Sequence, residues 1–409
     1  MRRVRTVVAL SDLHLGRDVG YLCSADARFQ GNGAAFLEAW SGIGPQDELI
    51  VNGDLLELSV AGLDRAYGDL KEFFFLLSRG PELKRLVYLP GNHDHHLWRE
   101  MAERACVEGR LVRGKMPPSD ADYPSFFVDK SFSSADPDLY CGFALSGLWP
   151  KDRPAPEFVV KYPHHLVDIP ADDGRPRYYL FTHGHFLEEL FTPVNYLIEP
   201  ARLDELEAFN TVWIEAVNYD FGRTGRLALK VQELLEGTER RDRHSRREVR
   251  RVLDEAYLNI ARKMNLGWAR RMGLRLAKNA AASYAARLLV DRRSGLFRSP
   301  INDRLKARIE AYIRKYIIAR YRESRAAEYH FPAGRDIPLP FSFVFGHTHT
   351  PSAGADGDSL EIDGATYPLA NTGGWLRIDG SGAADGECAG LMVINGSGPR
   401  WLSLQGRLR

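Results

Sequence analysis

Aspartates and histidines recur along this chain just after short apolar runs. Asp12 and His14 stand in Ser11-Asp12-Leu13-His14, Asp54 in Asn52-Gly53-Asp54, and Asn92, His93 and Asp94 in Gly91-Asn92-His93-Asp94. His183 opens His183-Gly184-His185, and His347 and His349 close the set in Gly346-His347-Thr348-His349. Carboxylate and amide oxygens mixed with imidazoles, with no thiolate among them, suit Mn²⁺, Fe or Zn²⁺ and argue against a structural zinc site. A phosphoester resists attack because its oxygens are already negative. Two divalent cations about 3.5–4 Å apart can clamp those oxygens and ionise a water between them. Asp54 is the candidate for the carboxylate that bridges such a pair, and Asp94, next to His93, could orient that imidazole and raise its pKa.

Residues spread this widely need a framework to bring them together. In the first hundred positions, strand-like runs at 6–10, 48–51 and 86–89 each end in a polar, glycine-containing turn, with helix-like stretches at 34–40 and 63–77 between them. Strands alternating with helices predict parallel βαβ units, in which chemistry gathers at the carboxyl ends of strands. Each of the three runs delivers Asp, Asn or His at that end. Residues 123–182 read as further strands and turns and finish in the run before His183. The C-terminal part is also strand-rich, with 342–345 running into the His347 motif and Asn371-Thr372-Gly373-Gly374 reading as a turn.

Four cysteines, Cys23, Cys106, Cys141 and Cys388, lie far apart with no C-x-x-C pair. That disfavours a zinc knuckle or a disulfide framework and points to a reducing cytoplasm. The N-terminal apolar run stops at Ser11, too short for a secretory signal. No window approaches the roughly eighteen uncharged apolar residues of a membrane span. The expectation is a soluble, cytoplasmic protein, which could still lie peripherally on the inner face of a membrane.

Residues 186–335 differ in character, being rich in Ala, Leu, Arg and Glu with few turn formers between about 245 and 290. Long helices are predicted there. The net charge of +1 hides an asymmetry, because 241–330 carries 24 Lys and Arg against 9 Asp and Glu. His183 precedes this block and His347 follows it. The sequence therefore divides into a catalytic unit, 1–185 with 336–409, and a basic helical insertion, 186–335.

The order of the five motifs resembles the calcineurin-like metallophosphoesterase superfamily, over about 1–95, 178–185 and 341–375. The resemblance implies an α/β fold, a four-layer αββα sandwich of two mixed sheets, here with a large helical insertion. It also implies that Asp12, His14 and His349 hold one of two divalent metal ions, that Asn92, His183 and His347 hold the other, and that Asp54 bridges them. His93 is then the general acid, or the group that steadies developing charge, and His185 lines the site. The UDP-2,3-diacylglucosamine pyrophosphatase branch is similar more narrowly, through Ser11-Asp12-Leu13-His14-Leu15-Gly16, Gly53-Asp54-Leu55, His183-Gly184 and Gly346-His347-Thr348-His349-Thr350-Pro351. Enzymes of that branch cleave a lipid-linked pyrophosphate at the inner membrane and hold acyl chains in a helical insertion. This chain has His93 where the branch carries Arg, and its insertion is longer, so the reaction type carries over and the substrate does not.

The basic block has three readings. It can be a solvated, salt-bridged helical face. It can attract anionic lipid headgroups or a lipid-linked phosphate through 266–289, where Trp268, Leu274, Leu276, Tyr284 and Leu288 lie among Arg and Lys. It can be a groove for nucleic acid, although no reading module is evident. The leading expectation is a dinuclear metal-dependent phosphoesterase acting on a phosphoester or pyrophosphate of a small or lipid-linked substrate, with peripheral contact to an anionic membrane. A metal-dependent nuclease is the alternative. A non-catalytic scaffold would be favoured by missing ligands, and none is missing.

Overall fold

Side chains along β2 (Val7–Leu10) alternate between two apolar surroundings: Val7 and Ala9 join one buried cluster, Val8 and Leu10 another. All four are buried, as expected of a strand covered on both faces. The split continues in β3 (Gln46–Asn52), with Ile50 on the first side and Leu49 and Val51 on the second. In β4 (Leu83–Leu89), Val87 and Leu89 face one way and Leu86 and Tyr88 the other.

In this computed structural model the described residues are 2–25, 29–59, 61–117, 130–135, 144–188, 192, 195, 200, 202–220, 301–319, 339–353, 358–376 and 389–404. They form two mixed sheets. The first has seven strands in the order β13 (Gly398–Ser403), β12 (Gly390–Asn395), β2, β3, β4, β6 (Glu157–Tyr162) and β5 (Lys130–Ser133). Its central four, β2, β3, β4 and β6, run parallel, and each outer strand pairs antiparallel with its inner neighbour. The second has six, in the order β1 (Arg2–Arg3), β7 (His165–Asp168), β8 (Tyr178–Thr182), β9 (Ser342–Phe345), β11 (Ala365–Asn371) and β10 (Ser359–Ile362).

The sheets meet face to face, with Val7, Ala9, Ile50 and Val87 of the first against Val167, Phe181, Val344 and Ala370 of the second. Helices α1 (Phe29–Ile43), α2 (Leu63–Ser78) and α3 (His95–Glu103) cover the outer side of the first sheet with Phe36, Trp40, Leu70, Phe73, Phe74 and Trp98. In α2 the buried Ala66, Leu70, Phe73, Phe74 and Leu77 recur at helical spacing, which makes the apolar stripe that faces the sheet. Each of the Leu and Phe side chains among them, fully buried, contributes roughly 1.5–3 kcal/mol.

The outer side of the second sheet is covered from the stretch that the sequence groups with the insertion. Leu203 and Leu206 of the Leu203–Glu215 helix and Leu305, Ile309 and Tyr312 of the Asp303–Tyr312 helix share a cluster with Phe343, Phe345, Leu360 and Leu369. The architecture is a four-layer αββα sandwich. All described residues belong to one unit, 1–220 with 300–409. Residues 221–299, including the basic and aromatic stretch 266–289, lie outside the described residues. Among the described residues no helix is long and apolar enough to cross a membrane.

The topology places the chemistry at one edge. β2, β3 and β4 are parallel neighbours, so the turns at Asp12, Asp54 and Asn92 leave the first sheet side by side. β8 and β9 are parallel neighbours in the second sheet, where Thr182 pairs with Phe345, and they release His183 and His347 together.

Candidate metal centre

Five residues of the motifs sit in backbone conformations that L-amino acids seldom adopt: Asp12 (φ 55°), His14 (46°), Asp54 (50°), His347 (65°) and His349 (54°). Among the described residues Asp363 is the one other non-glycine with positive φ. Left-handed backbone costs on the order of 1–3 kcal/mol per residue and persists where surrounding structure enforces it, usually at functional sites. Backbone hydrogen bonds between adjacent turns enforce it here. Asp12 N donates to Gly53 O (2.9 Å), His14 N to Asp54 O (2.9 Å) and Trp375 N to Asp12 O (3.0 Å). His347 N donates to the Asp12 carboxylate, Oδ2, at 2.9 Å. Glycine is required between them. A Cβ on Gly53 would lie 2.0 Å from His183 Nδ1, and one on Gly91 would lie 2.2 Å from Asp54 Oδ1.

The side chains so aimed form two overlapping groups. Asp12, His14 and His349 offer ligand atoms within 4.8 Å of one another, as do Asp12, Asp54, His183 and His347. Asp54 Oδ2 lies between the groups, 3.7 Å from His14 Nε2 and 3.3 Å from His183 Nε2. His349 Nε2 is 3.1 Å from Asp12 Oδ1, and Asn92 Oδ1 is 3.1 Å from His183 Nε2. All seven residues expected to ligate are thus brought together. His14 Nε2 is buried and makes no hydrogen bond among the described residues. Carboxylate oxygens stand 3.7 and 4.0 Å from it, too far for a hydrogen bond and close enough to share a cation with it. This donor set of oxygens and imidazoles fits divalent metals.

The electrostatics agree. Burial alone would raise the Asp12 carboxyl, but the His349 and His183 imidazoles beside it bring it down to about 2. Asp54 is likewise held well below the usual carboxylate range, since His183 and His93 outweigh its burial. Burial lowers His14 to about 4 in spite of its bond to Glu57, so its imidazole is neutral and able to ligate. His183 is buried too, yet Asp54 and Asp12 raise it to about 10; the negative charge that favours a proton there would equally favour a cation.

Asp94 does not orient His93. Its buried carboxylate accepts the backbone N–H groups of Gly91 (2.7 Å), Leu55 (2.6 Å) and Leu56 (3.1 Å), bracing the two turns that carry Asn92 and Asp54. Burial and the nearby Asp54 charge raise it to about 6. The orienting carboxylate is Glu57, with Oε1 2.8 Å from His93 Nδ1 and Oε2 3.1 Å from His14 Nδ1. Glu57 lies outside the sequence motifs. The available signal was an acid set among Leu55, Leu56 and Leu58, three residues past Asp54, because a charge in an apolar run must find a partner. Asn371, which reads in the sequence as a turn residue, also supports the centre. Its Nδ2 donates to Gly346 O (3.1 Å) and Thr348 Oγ1 (2.9 Å), pinning the loop of His347 and His349. His185 is buried beside the centre, its ring 5.6 Å from that of His183.

A sandwich of two mixed sheets with Asp and His gathered at the strand ends defines a class, and comparison bears on it directly. The chain belongs to the calcineurin-like phosphoesterases, whose family model matches residues 5–214, just over half of it. It is accordingly a hydrolase of phosphoester bonds. The match ends before His347 and His349, which reach the cluster through β9. No curated protein sequence matches the chain. The crystal structure of a cold-active protein-tyrosine phosphatase of the psychrophile Shewanella sp. aligns over 99% of this chain and 80% of its own at 12% identity. With a TM-score of 0.29 it carries no argument here.

Proposed function

We propose that the chain hydrolyses a phosphoester or pyrophosphate of a small or lipid-linked substrate at a centre of two divalent cations. Asp12, His14 and His349 would hold one ion, Asn92, His183 and His347 the other, and Asp54 would be shared. The observation that carries this reading is the strained backbone of five of these seven residues, whose ligand atoms converge in two overlapping groups. When bound, the cations would polarise the phosphoryl oxygens and lower the pKa of an attacking water.

The chain's own residues supply the rest. With Nδ1 turned to Glu57, His93 leaves Nε2 to face a leaving oxygen. Burial disfavours the imidazolium, but Glu57 and Asp54 raise its pKa, so His93 keeps a proton to donate or a charge to offer. Asp12 and Asp54 stay ionised throughout the neutral range. The resemblance to the UDP-2,3-diacylglucosamine pyrophosphatases supports a pyrophosphate substrate, and the basic composition of 241–330 supports peripheral binding to an anionic membrane from the cytoplasm.

The test is protein purified with Mn²⁺, assayed for metal and for hydrolysis of mono- and bis-nitrophenyl phosphate, and for binding to anionic vesicles. About two ions per chain with ester hydrolysis is the expected result. One ion or none under every condition would overturn the dinuclear centre. Binding to DNA with a steep salt dependence, and none to vesicles, would replace the lipid reading with a nuclease.

A further inference from the structure

Histidines that ligate metals are held from behind, because a ring must present one lone pair to the ion and anchor the opposite N–H. Two histidines of the centre show this arrangement. His14 turns Nδ1 to Glu57 Oε2 at 3.1 Å, which leaves Nε2 facing Asp54 and Asp12. His183 turns Nδ1 to the backbone carbonyl of Asn52 at 3.0 Å, which leaves Nε2 facing Asp54 and Asn92.

His347 has a carboxylate from outside the motifs on the same side of its ring, away from the centre, at ion-pair distance but without the hydrogen bond that holds His14 and His183. Its Nδ1 is 3.3 Å from His183 Nε2, on the side of the centre. Its Nε2, on the far side of the ring, is 3.3 Å from Glu188 Oε2. Glu188 directly follows the short turn His185–Leu187, five residues after His183. Its side chain is 10% exposed, and its Oε1 makes no hydrogen bond among the described residues. A carboxylate is not buried cheaply without a charged or hydrogen-bonding partner, and among the described residues His347 stands at ion-pair distance. Glu188 is absent from the clusters of converging ligand atoms that contain His347, so it stands behind the imidazole and not beside it.

We propose that Glu188 is a positioning residue of the centre that, with the second ion bound, would accept the Nε2–H of His347 from this distance and so fix the tautomer whose Nδ1 lone pair faces that ion. The inference rests on the two-cation reading above. It adds to the centre a carboxylate delivered by the turn that follows His183, so one short segment supplies both a ligand and the support of another ligand.

Zn²⁺ alone is the probe. Wild type, Glu188→Gln and Glu188→Ala are dialysed against graded free Zn²⁺ at one pH, bound metal is measured, and folding is checked by circular dichroism. Wild type should take up two ions. Glu188→Ala should bind one of them about 10–100-fold more weakly. Glu188→Gln, whose amide oxygen still accepts the N–H, should remain close to wild type. An alanine variant that binds both ions like wild type would overturn the proposal, as would a glutamine variant as impaired as the alanine one. A second measurement needs no variant of Glu188. In ¹⁵N-histidine-labelled, zinc-loaded wild type, with His347→Gln supplying the assignment, His347 should show the Nε2–H tautomer. The Nδ1–H tautomer would overturn the inference. If wild type binds fewer than two ions, the two-cation reading itself fails; if it binds two and the variants do not differ, only the role of Glu188 fails.

Discussion

Glu57 Oε1 lies 2.8 Å from His93 Nδ1, joining two turns that leave neighbouring parallel strands of one sheet. The same carboxylate reaches His14 through its other oxygen, at 3.1 Å. One buried acid therefore holds both a residue expected to ligate metal and the residue expected to serve the leaving group. Substitutions on the two sides of this contact should be distinguishable.

His93→Ala should leave metal content intact and lower kcat by about 10²–10⁴-fold on an ester with a poor leaving group, if His93 donates a proton. The loss should shrink on nitrophenyl esters, whose leaving group needs little protonation. Equal losses on both would make His93 a stabiliser of charge and not a donor. Glu57→Ala should go further and reduce bound metal as well, because His14 loses its support. Elemental analysis beside steady-state kinetics on two leaving groups checks both expectations.

Asp54→Ala should abolish hydrolysis and remove bound metal to an extent that His349→Ala does not match. Asp54 Oδ2 approaches histidines of both ligand groups, whereas His349 belongs to one. Metal content per chain, measured for both variants under the same loading, decides it. Full occupancy in Asp54→Ala would show that this carboxylate is not shared.

Much of this centre could be read in the sequence because each motif follows an apolar run, and a run of three or more such residues before a turn with Asp or His marks a strand end. The runs before Asp12, Asp54, Asn92, His183 and His347 all became strands: β2, β3, β4, β8 and β9. The supporting residues could not be read in the same way. Glu57 and Asn371 act through contacts that span 36 and 25 positions, to His93 and Gly346, and neither carries a local pattern. Asp94 misled for the related reason that adjacency in sequence does not give adjacency of side chains. The turn carries His93 toward the centre and Asp94 back onto the backbone amides of Gly91 and of Leu55 and Leu56 in the neighbouring turn. The Leu203–Glu215 and Asp303–Tyr312 helices were grouped with the basic block on composition, which does not show that their apolar faces cover the second sheet.

Gly53→Ala is expected to be a severe lesion for so small a change. The residue has φ 95°, where a Cβ is strained, and that Cβ would fall 2.0 Å from His183 Nδ1. Relief requires the His183 ring to leave its bond with Asn52 O. Activity and one equivalent of metal should be lost while the fold survives, as judged by circular dichroism. Ala at Gly44, also at positive φ but with open space around it, is the control and should cost stability only. An active, metal-replete Gly53→Ala protein would contradict the placement of His183.

The last prediction concerns stability at alkaline pH and a buried imidazolium. His95, at the start of α3, has Nε2 2.7 Å from Glu207 Oε1 and Nδ1 2.6 Å from Glu215 Oε1. Both carboxylates come from the Leu203–Glu215 helix. Ionised carboxylates only accept, so both ring nitrogens of His95 must donate and the ring is charged. Around it, the Tyr162 hydroxyl donates to Glu207 Oε2, the Thr211 hydroxyl to Glu207 Oε1, and His96 lies 2.8 Å from Glu215 Oε2. Burial disfavours the charge on His95, but Glu207 and Glu215 together raise its pKa from 6.5 to about 9. Because the folded value lies above the unfolded one, the stability gained is fully present below pH 6.5 and is lost as pH rises through about 9. The melting temperature should therefore decline across that window. His95→Gln should lower it already at pH 6, since two buried carboxylates lose their cation at a cost of about 3–5 kcal/mol, and should flatten the decline. Thermal melts of both proteins at half-unit steps from pH 6 to pH 10 test this, and parallel curves for the two would show that His95 does not carry the charge.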